Sequence, residues 1–82
     1  MNENMRLTVY SPALFQIRVQ GVLDSHWSDR LGDANIQREG SEEAPVTVLR
    51  GRFQDQAALL GILNTLYDLG LPLLSYESKQ AE

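Results

Sequence analysis

Apolar and polar positions alternate along residues 14–23, LFQIRVQGVL. One side of this segment carries Phe15, Ile17, Val19 and Leu23, and the other carries Gln16, Arg18 and Gln20. A period of two with one polar side predicts a β-strand that is covered on one face only.

The next segment, DSHWSDRLG (24–32), predicts a short helix. Asp24 suits the N-cap, because its carboxylate accepts a hydrogen bond from a free amide of the first turn. Gly32 suits the left-handed position that ends a helix. Trp27 and Leu31 are four residues apart, so they are expected to share a face, with Trp27 as a core anchor.

Residues 34–53, ANIQREGSEEAPVTVLRGRF, predict a β-hairpin. A weak strand around Ile36 leads through a polar loop at 39–44 to a stronger strand that begins at Val46. On that strand we assign Thr47, Leu49, Gly51 and Phe53 to the core, and Val46, Val48, Arg50 and Arg52 to the opposite face. The assignment is sensitive to register, since a slip of one residue exchanges the two faces.

Residues 55–77, DQAALLGILNTLYDLGLPLLSYE, predict a helix, a sharp stop and a strand. Asp55 is the expected N-cap, and an apolar stripe on a 3.6-residue period follows: Leu59, Ile62, Leu63, Leu66 and Leu69. Gly70 fits the left-handed position of a Schellman ending, with Leu71 packing on Leu66, and Pro72 prevents the helix from resuming. Gly61 is expected to pack closely on the sheet.

The order strand, helix, strand, strand, helix, strand predicts an α+β protein with the ferredoxin-like βαββαβ fold. In that fold both helices cover one face of a four-stranded antiparallel sheet, and the first and third strands are central neighbours. We assign residues 14–78 to this single domain and 79–82 to a tail. Residues 1–13 form an N-terminal extension, either a mobile arm or an added strand over residues 6–10.

Composition narrows the classes of function. The 82 residues contain no cysteine, which leaves no disulfide, no thiolate nucleophile and no cysteine-built zinc site. The net charge of −4 argues against binding to nucleic acid, because an acidic surface repels phosphate backbones. No secretory signal and no membrane-spanning run is evident. We therefore expect a cytoplasmic protein that binds neither nucleic acid nor membrane and uses no cofactor or metal.

Two blocks of sequence resemble a known family. VQGVLDSHWSDRLG and LRGRFQDQAALLGILNTLYDLGLPLLSYE are similar to small bacterial proteins of unknown function. Their pattern runs V-x-G-x-L-D-x-x-W-S and then L-x-G-x-x-x-D-Q-A-A-L-x-G-L-L-x-x-L-x-D-L-G-L-P-L-L-S. The resemblance covers about residues 17–77 and departs at Ile62 and in a longer N-terminal extension. It implies a conserved fold and supplies no catalytic residue or ligand.

The polar face of the predicted sheet holds the main candidate site. Arg18 and Arg50 lie on adjacent central strands, with Gln16 and Gln20 beside them. Two guanidinium groups and two amides are suited to holding a phosphate or carboxylate through charge-assisted hydrogen bonds. The alternative is a solvated face, or ion pairs to Glu39 or Glu77.

Two functions remain open. The first is a non-enzymatic interaction or regulatory module that forms a homodimer through its sheet or binds another protein. Its candidate interface consists of apolar side chains on the face that the helices leave bare: Val22, Val46 and Val48. The second is a dimeric ferredoxin-like enzyme or small-ligand-binding protein with a pocket near His26 and Trp27. No catalytic residue is assigned, since the single histidine has no second histidine or cysteine to work with.

Overall fold

The computed structural model describes residues 8–80 and contains four strands and two helices. The elements are β1 (Ala13–Gln20), a 3₁₀-helix (Ser25–Leu31), β2 (Asn35–Gly40), β3 (Pro45–Phe53), α1 (Gln56–Asp68) and β4 (Leu73–Gln80). The predicted α+β class is confirmed. β4 continues to Gln80 and so takes in two residues that were assigned to the tail.

The strands form one antiparallel sheet in the order β2-β3-β1-β4. β1 and β3 are the central pair, as predicted, and β2 and β4 are the two edges. The register is continuous between β1 and β3, with Ile17 opposite Leu49. Between β1 and β4 it shifts by one residue at Arg18/Val19, which marks a β-bulge near the start of β4.

The predicted face assignment of β3 is confirmed. Thr47, Leu49 and Phe53 are buried on the core side, where Phe15 stacks on Phe53 with ring centroids 6.1 Å apart. Gly51 belongs to the same face, and a Cβ there would approach the Phe15 ring to 3.1 Å. Alternation along β3 therefore separates the core side from an open face that no helix covers.

The first predicted helix forms, but as a 3₁₀-helix. The Asp24 carboxylate accepts from the His26 amide, and Gly32 closes the segment in the left-handed region at φ 71°. A 3₁₀-helix has three residues per turn, so positions i and i+4 are about 120° apart rather than in line. For this reason Leu31 is fully buried while Trp27 is only half-buried at the margin of the core.

The predicted boundaries of the second helix are confirmed. The Asp55 carboxylate accepts from the Ala58 amide at 3.0 Å. At the other end the Leu71 amide donates to the Leu66 carbonyl and the Gly70 amide to the Tyr67 carbonyl, with Gly70 at φ 76°. These two bonds are the Schellman motif.

The α1 stripe is narrower than predicted, and the prediction for Gly61 was wrong. Leu59, Ile62 and Leu66 are buried, Leu63 is half-buried, and Leu69 is exposed at the C-cap. A Cβ on Gly61 would meet nothing within 4 Å. Gly61 lies on the outer side of α1, because the helix rests on the sheet through the buried stripe alone.

The described part of the N-terminal extension is a turn. The Ser11 amide donates to the Thr8 carbonyl, and the Val9 carbonyl accepts from the Gln56 amide at 2.9 Å at the start of α1. Residues 8–10 therefore do not form the added strand considered over 6–10, and residues 1–7 lie outside the described part. No helix within residues 8–80 is long and apolar enough to span a membrane.

Candidate functional site

Arg50 is the centre of a hydrogen-bonded row on the open face. Its Nε donates to Gln16 Oε1 at 2.8 Å and its Nη1 donates to Gln37 Oε1 at 2.9 Å. The row follows from register, because Arg50 is paired with Gln16 of β1 on one side and Asn35 of β2 on the other. Neutral amides thus hold the guanidinium in place without neutralising its charge.

Arg18 is engaged elsewhere on the same face. Its Nη2 lies 3.3 Å from Glu39 Oε1, so it forms an ion pair with the edge strand β2. Arg18 is paired with Val48 of β3, and the bridge to Glu39 has to pass over β3. Val48 is 0% exposed although it lies on the face without helices. We attribute its burial to the long polar side chains around it.

The structure unites only part of the predicted anion-binding set. Gln16 and Arg50 are in contact, whereas Arg18 is paired with Glu39, and Gln20 is exposed at the end of β1 opposite Val46. The ion pair to Glu39 is the alternative that the sequence left open for Arg18.

A groove of about 610 Å³ lies next to Arg50, towards the end of the sheet where β1 begins. Its lining side chains on the open face are Leu14, Gln16, Arg50, Arg52, Glu77 and Lys79. Sequence reasoning placed Arg52 on this face but did not include it in the site, and it missed Leu14 and Lys79. The available signal was Leu14, an apolar residue in phase with Gln16 and Arg18.

The predicted interface residues differ widely in exposure. Val22 is 52% exposed, Val46 is half-buried and Val48 is fully buried. Val22 follows the end of β1, so the three do not form a continuous apolar patch. The open face is instead dominated by charged and amide side chains.

His26 and Trp27 lie next to a depression of about 360 Å³ that is lined by Asp24 and Ser25. The His26 side chain is largely exposed, with Nδ1 3.1 Å from Asp24 Oδ1. The amide and side chain of His26 both hydrogen-bond the Asp24 carboxylate and hold its pKa below the ordinary value. Arg30 lies over the Trp27 ring at 5.5 Å from its centroid. Neither residue lines this depression or the two other main depressions on residues 8–80.

The β4 edge is the most apolar exposed part of the sheet. Leu73 is 54% exposed, Leu74 49% and Tyr76 37%. Beside them α1 exposes Leu60 and Tyr67, on the side of the helix away from Ile62, which contacts the 3₁₀-helix end at Gly32. Tyr76 and Ser78 lie on the helix side of β4, opposite Ile17 and Phe15, and both are exposed, so the helix layer does not fully cover β4.

Among residues 8–80 no cluster of three or more potential metal ligands exists. No curated protein and no solved structure matches the chain. One family model matches, that of a domain of unknown function (DUF8691), and it covers residues 14–77, from β1 into β4. The matched range contains most of the open face, the hairpin, both helices and residues 73–77 of β4. The chain therefore belongs to the DUF8691 family.

Proposed function

We propose that this protein is a non-enzymatic interaction module that forms a homodimer by joining the β4 edges of two sheets. The observation that supports the proposal most strongly is the outer edge of β4, which has no partner strand within residues 8–80 and carries exposed apolar side chains. An unpaired edge presents a row of free amides and carbonyls, which a second strand satisfies.

The hydrogen-bonding pattern of the sheet shows which backbone amides and carbonyls of β4 point away from β1. The Gly21 amide donates to the Pro45 carbonyl, so odd-numbered residues of β1 point their backbone groups towards β3. The Gln20 amide donates to the Pro72 carbonyl, so even-numbered residues point towards β4. Paired residues of antiparallel strands direct their backbone groups at each other. The backbone groups of Ser75, Glu77 and Lys79, which pair with even-numbered residues of β1, therefore point towards β1. Tyr76, Ser78 and Gln80 then direct their backbone groups outward.

Charge favours an axis at Ser78 over an axis at either of its neighbours when two β4 strands pair antiparallel. A two-fold axis at Ser78 pairs Ser78 with itself and places Glu77 opposite Lys79 of the second copy, twice. An axis at Glu77 or Lys79 sets like charges opposite each other, which is destabilising. An axis at Tyr76 brings Pro72 and the bulge at Leu73–Leu74 into the new ladder. The Ser78 axis avoids both.

The proposed two-fold axis is also compatible with the position of α1. An axis perpendicular to the sheet keeps the helices of both copies on the same side, where each β4 lacks helix cover. Leu60 on α1 and Tyr76 on β4 then face the junction. Burying exposed apolar area at a self-complementary patch is the usual driving force for such dimers.

Disulfide trapping tests this register, and the absence of natural cysteines makes the test clean. One chain carries Glu77→Cys and another carries Lys79→Cys, and the two are mixed and oxidised. Residues at a non-hydrogen-bonded antiparallel pair are about 4.5 Å apart at Cα, within the range of a disulfide. We expect a covalent dimer in the mixture and none with either variant alone, while the other Glu77–Lys79 pair stays intact.

Ser75→Cys mixed with Lys79→Cys is the matched control, since these positions pair only if the axis lies at Glu77. The control mixture should remain monomeric under denaturing conditions. A Glu77→Cys and Lys79→Cys mixture that fails to cross-link would contradict the register, and a protein that is monomeric in sedimentation would contradict the dimer.

We also propose the ferredoxin-like assignment for the fold. The strand order, counted from the β4 edge, is 4-1-3-2, which supports it, although the first helix is of the 3₁₀ type. A cytoplasmic location and a bacterial origin remain proposals based on the sequence. The alternative, an enzyme or ligand-binding protein with a pocket near His26, is the weaker proposal, because the depression lined by Asp24 and Ser25 does not include His26 or Trp27.

A further inference from the structure

We propose that the groove at Arg50 and Arg52 binds a small organic anion, a carboxylate on a short apolar chain. This site differs from the dimer edge and from the set predicted from the sequence. It is built from β3 and the start of β1 and does not require Arg18 or Gln20.

The groove is cationic in a protein that is acidic overall. Three cationic side chains line it, Arg50, Arg52 and Lys79, against one carboxylate, Glu77. Within residues 8–80 none of the three cations lies within 4.0 Å of a carboxylate oxygen, because the ion pairs of that range involve Arg18 and His26. An anion that enters the groove therefore displaces water and breaks no ion pair there.

The two arginines have complementary roles in the groove. Arg50 is held by Gln16 and Gln37 through Nε and Nη1, which fixes the plane of its guanidinium. Arg52 makes no side-chain hydrogen bond within the described residues, so all of its guanidinium N–H groups can donate to a ligand. A guanidinium fork matches the two oxygens of a carboxylate and binds them through paired, charge-assisted bonds.

Leu14 supplies an apolar surface in the groove that a ligand can contact. It is 40% exposed and is paired with Arg52 on one side and Lys79 on the other. An exposed leucine between two cations favours a ligand with a charged head and a few methylene groups over inorganic phosphate. Each buried methylene adds to the affinity through removal of apolar surface from water.

Lys79 is the only cation of the groove that belongs to the proposed dimer edge. In the dimer it lies opposite Glu77 of the second copy, so the site is assigned to Arg50, Arg52 and Leu14. Binding is therefore expected in monomer and dimer alike, and its failure would leave the dimer proposal intact.

The test is a titration of the ¹⁵N-labelled full chain with hexanoate, followed through amide chemical shifts. Inorganic phosphate and hexanol serve as comparison probes for charge alone and chain alone. We expect saturable shifts at Leu14, Gln16 and Arg52 with a dissociation constant on the order of 1 mM. Phosphate and hexanol should bind at least about ten-fold more weakly.

Arg52→Gln should weaken hexanoate binding by about ten-fold or more, because it removes the guanidinium group that binds the carboxylate. Arg18→Gln is the matched control on the same face and should change binding less than about two-fold. The proposal would be overturned by equal binding of Arg52→Gln, by phosphate binding as tightly as hexanoate, or by shifts that map to another depression. Shifts that do not saturate at about 10 mM would overturn it as well.

Discussion

The two edges of the sheet differ in their exposed apolar residues. β2 reads NIQREG, and all of its side chains except Ile36 are exposed and polar or absent. β4 reads LLSYESKQ and exposes Leu73, Leu74 and Tyr76. Charged side chains protect an edge from pairing with another chain, whereas exposed apolar residues favour it. The difference supports our proposal that β4, rather than β2, pairs with a second copy.

The two halves of the sheet also differ in how far the helices cover them. The 3₁₀-helix contacts β2, whereas Tyr76 and Ser78 on the helix side of β4 are exposed, so the helix layer covers the β2 half of the sheet more fully. The β4 half has less helix cover, and in the proposed dimer a second copy would supply it. The two edges therefore differ in helix cover as well as in the composition of their strands.

Proline substitution gives the largest expected contrast between the edges. Ser78→Pro removes an outward amide of β4 at the proposed two-fold axis, and Arg38→Pro removes an outward amide of β2. Neither amide belongs to the ladder within one chain. We expect Ser78→Pro to weaken the dimer at least about thirty-fold, since two hydrogen bonds are lost and the strands collide. Arg38→Pro should leave sedimentation unchanged, and equal effects at both edges would remove the distinction.

Charge reversal gives a smaller contrast. Glu77→Lys faces Lys79 of the second copy, so two favourable cross-strand pairs become repulsive, and the dissociation constant should rise about ten-fold. The double variant Glu77→Lys with Lys79→Glu should restore it. Glu43→Lys, in the β2–β3 loop, makes the same change of net charge and should have no effect. Failure of the double variant to recover would argue against the register.

The helix cap separates stability of the chain from association. Asp55→Ala removes the acceptor for the Ala58 amide and should lower the free energy of unfolding by about 1 kcal/mol. Denaturant unfolding measures this change, and it should not alter the monomer–dimer equilibrium once the folded fraction is accounted for. A dimer that weakens in step with the cap would mean that association depends on the order of α1.

Gly61→Ala should have the smallest effect, and its sign is opposite. Gly61 lies inside α1 with nothing near its missing Cβ, so alanine should stabilise the chain by about 0.8–1 kcal/mol. Thermal unfolding reports the gain. If the variant instead loses stability or weakens the dimer, then the outer side of α1 is in contact with a partner.

Local patterns were sufficient to predict much of the fold. Alternation placed Leu49 and Phe53 in the core, and the sequence around Gly70 predicted the Schellman ending, because both depend on residues close in the chain. The 3₁₀ geometry was missed, since caps mark where a helix begins and ends but not its pitch.

The candidate site was harder to predict because it depends on register across three strands. The bulge after Arg18 sets which β4 residues stand beside Leu14, and alternation within β1 alone gives no information about it. Val48 appeared exposed from its phase in β3, but its burial depends on side chains from neighbouring strands. Gly61 was assigned to the packed side because the position of α1 over the sheet was unknown.

Amide hydrogen exchange compares the two edges most directly. The outward amides of Tyr76 and Ser78 on β4 are matched by those of Ile36 and Arg38 on β2, all free of ladder bonds within one chain. In the dimer the β4 pair should be protected, increasingly so at higher protein concentration, while the β2 pair exchanges rapidly. Rapid exchange of all four amides, at concentrations where the protein sediments as a single species, would contradict pairing through β4.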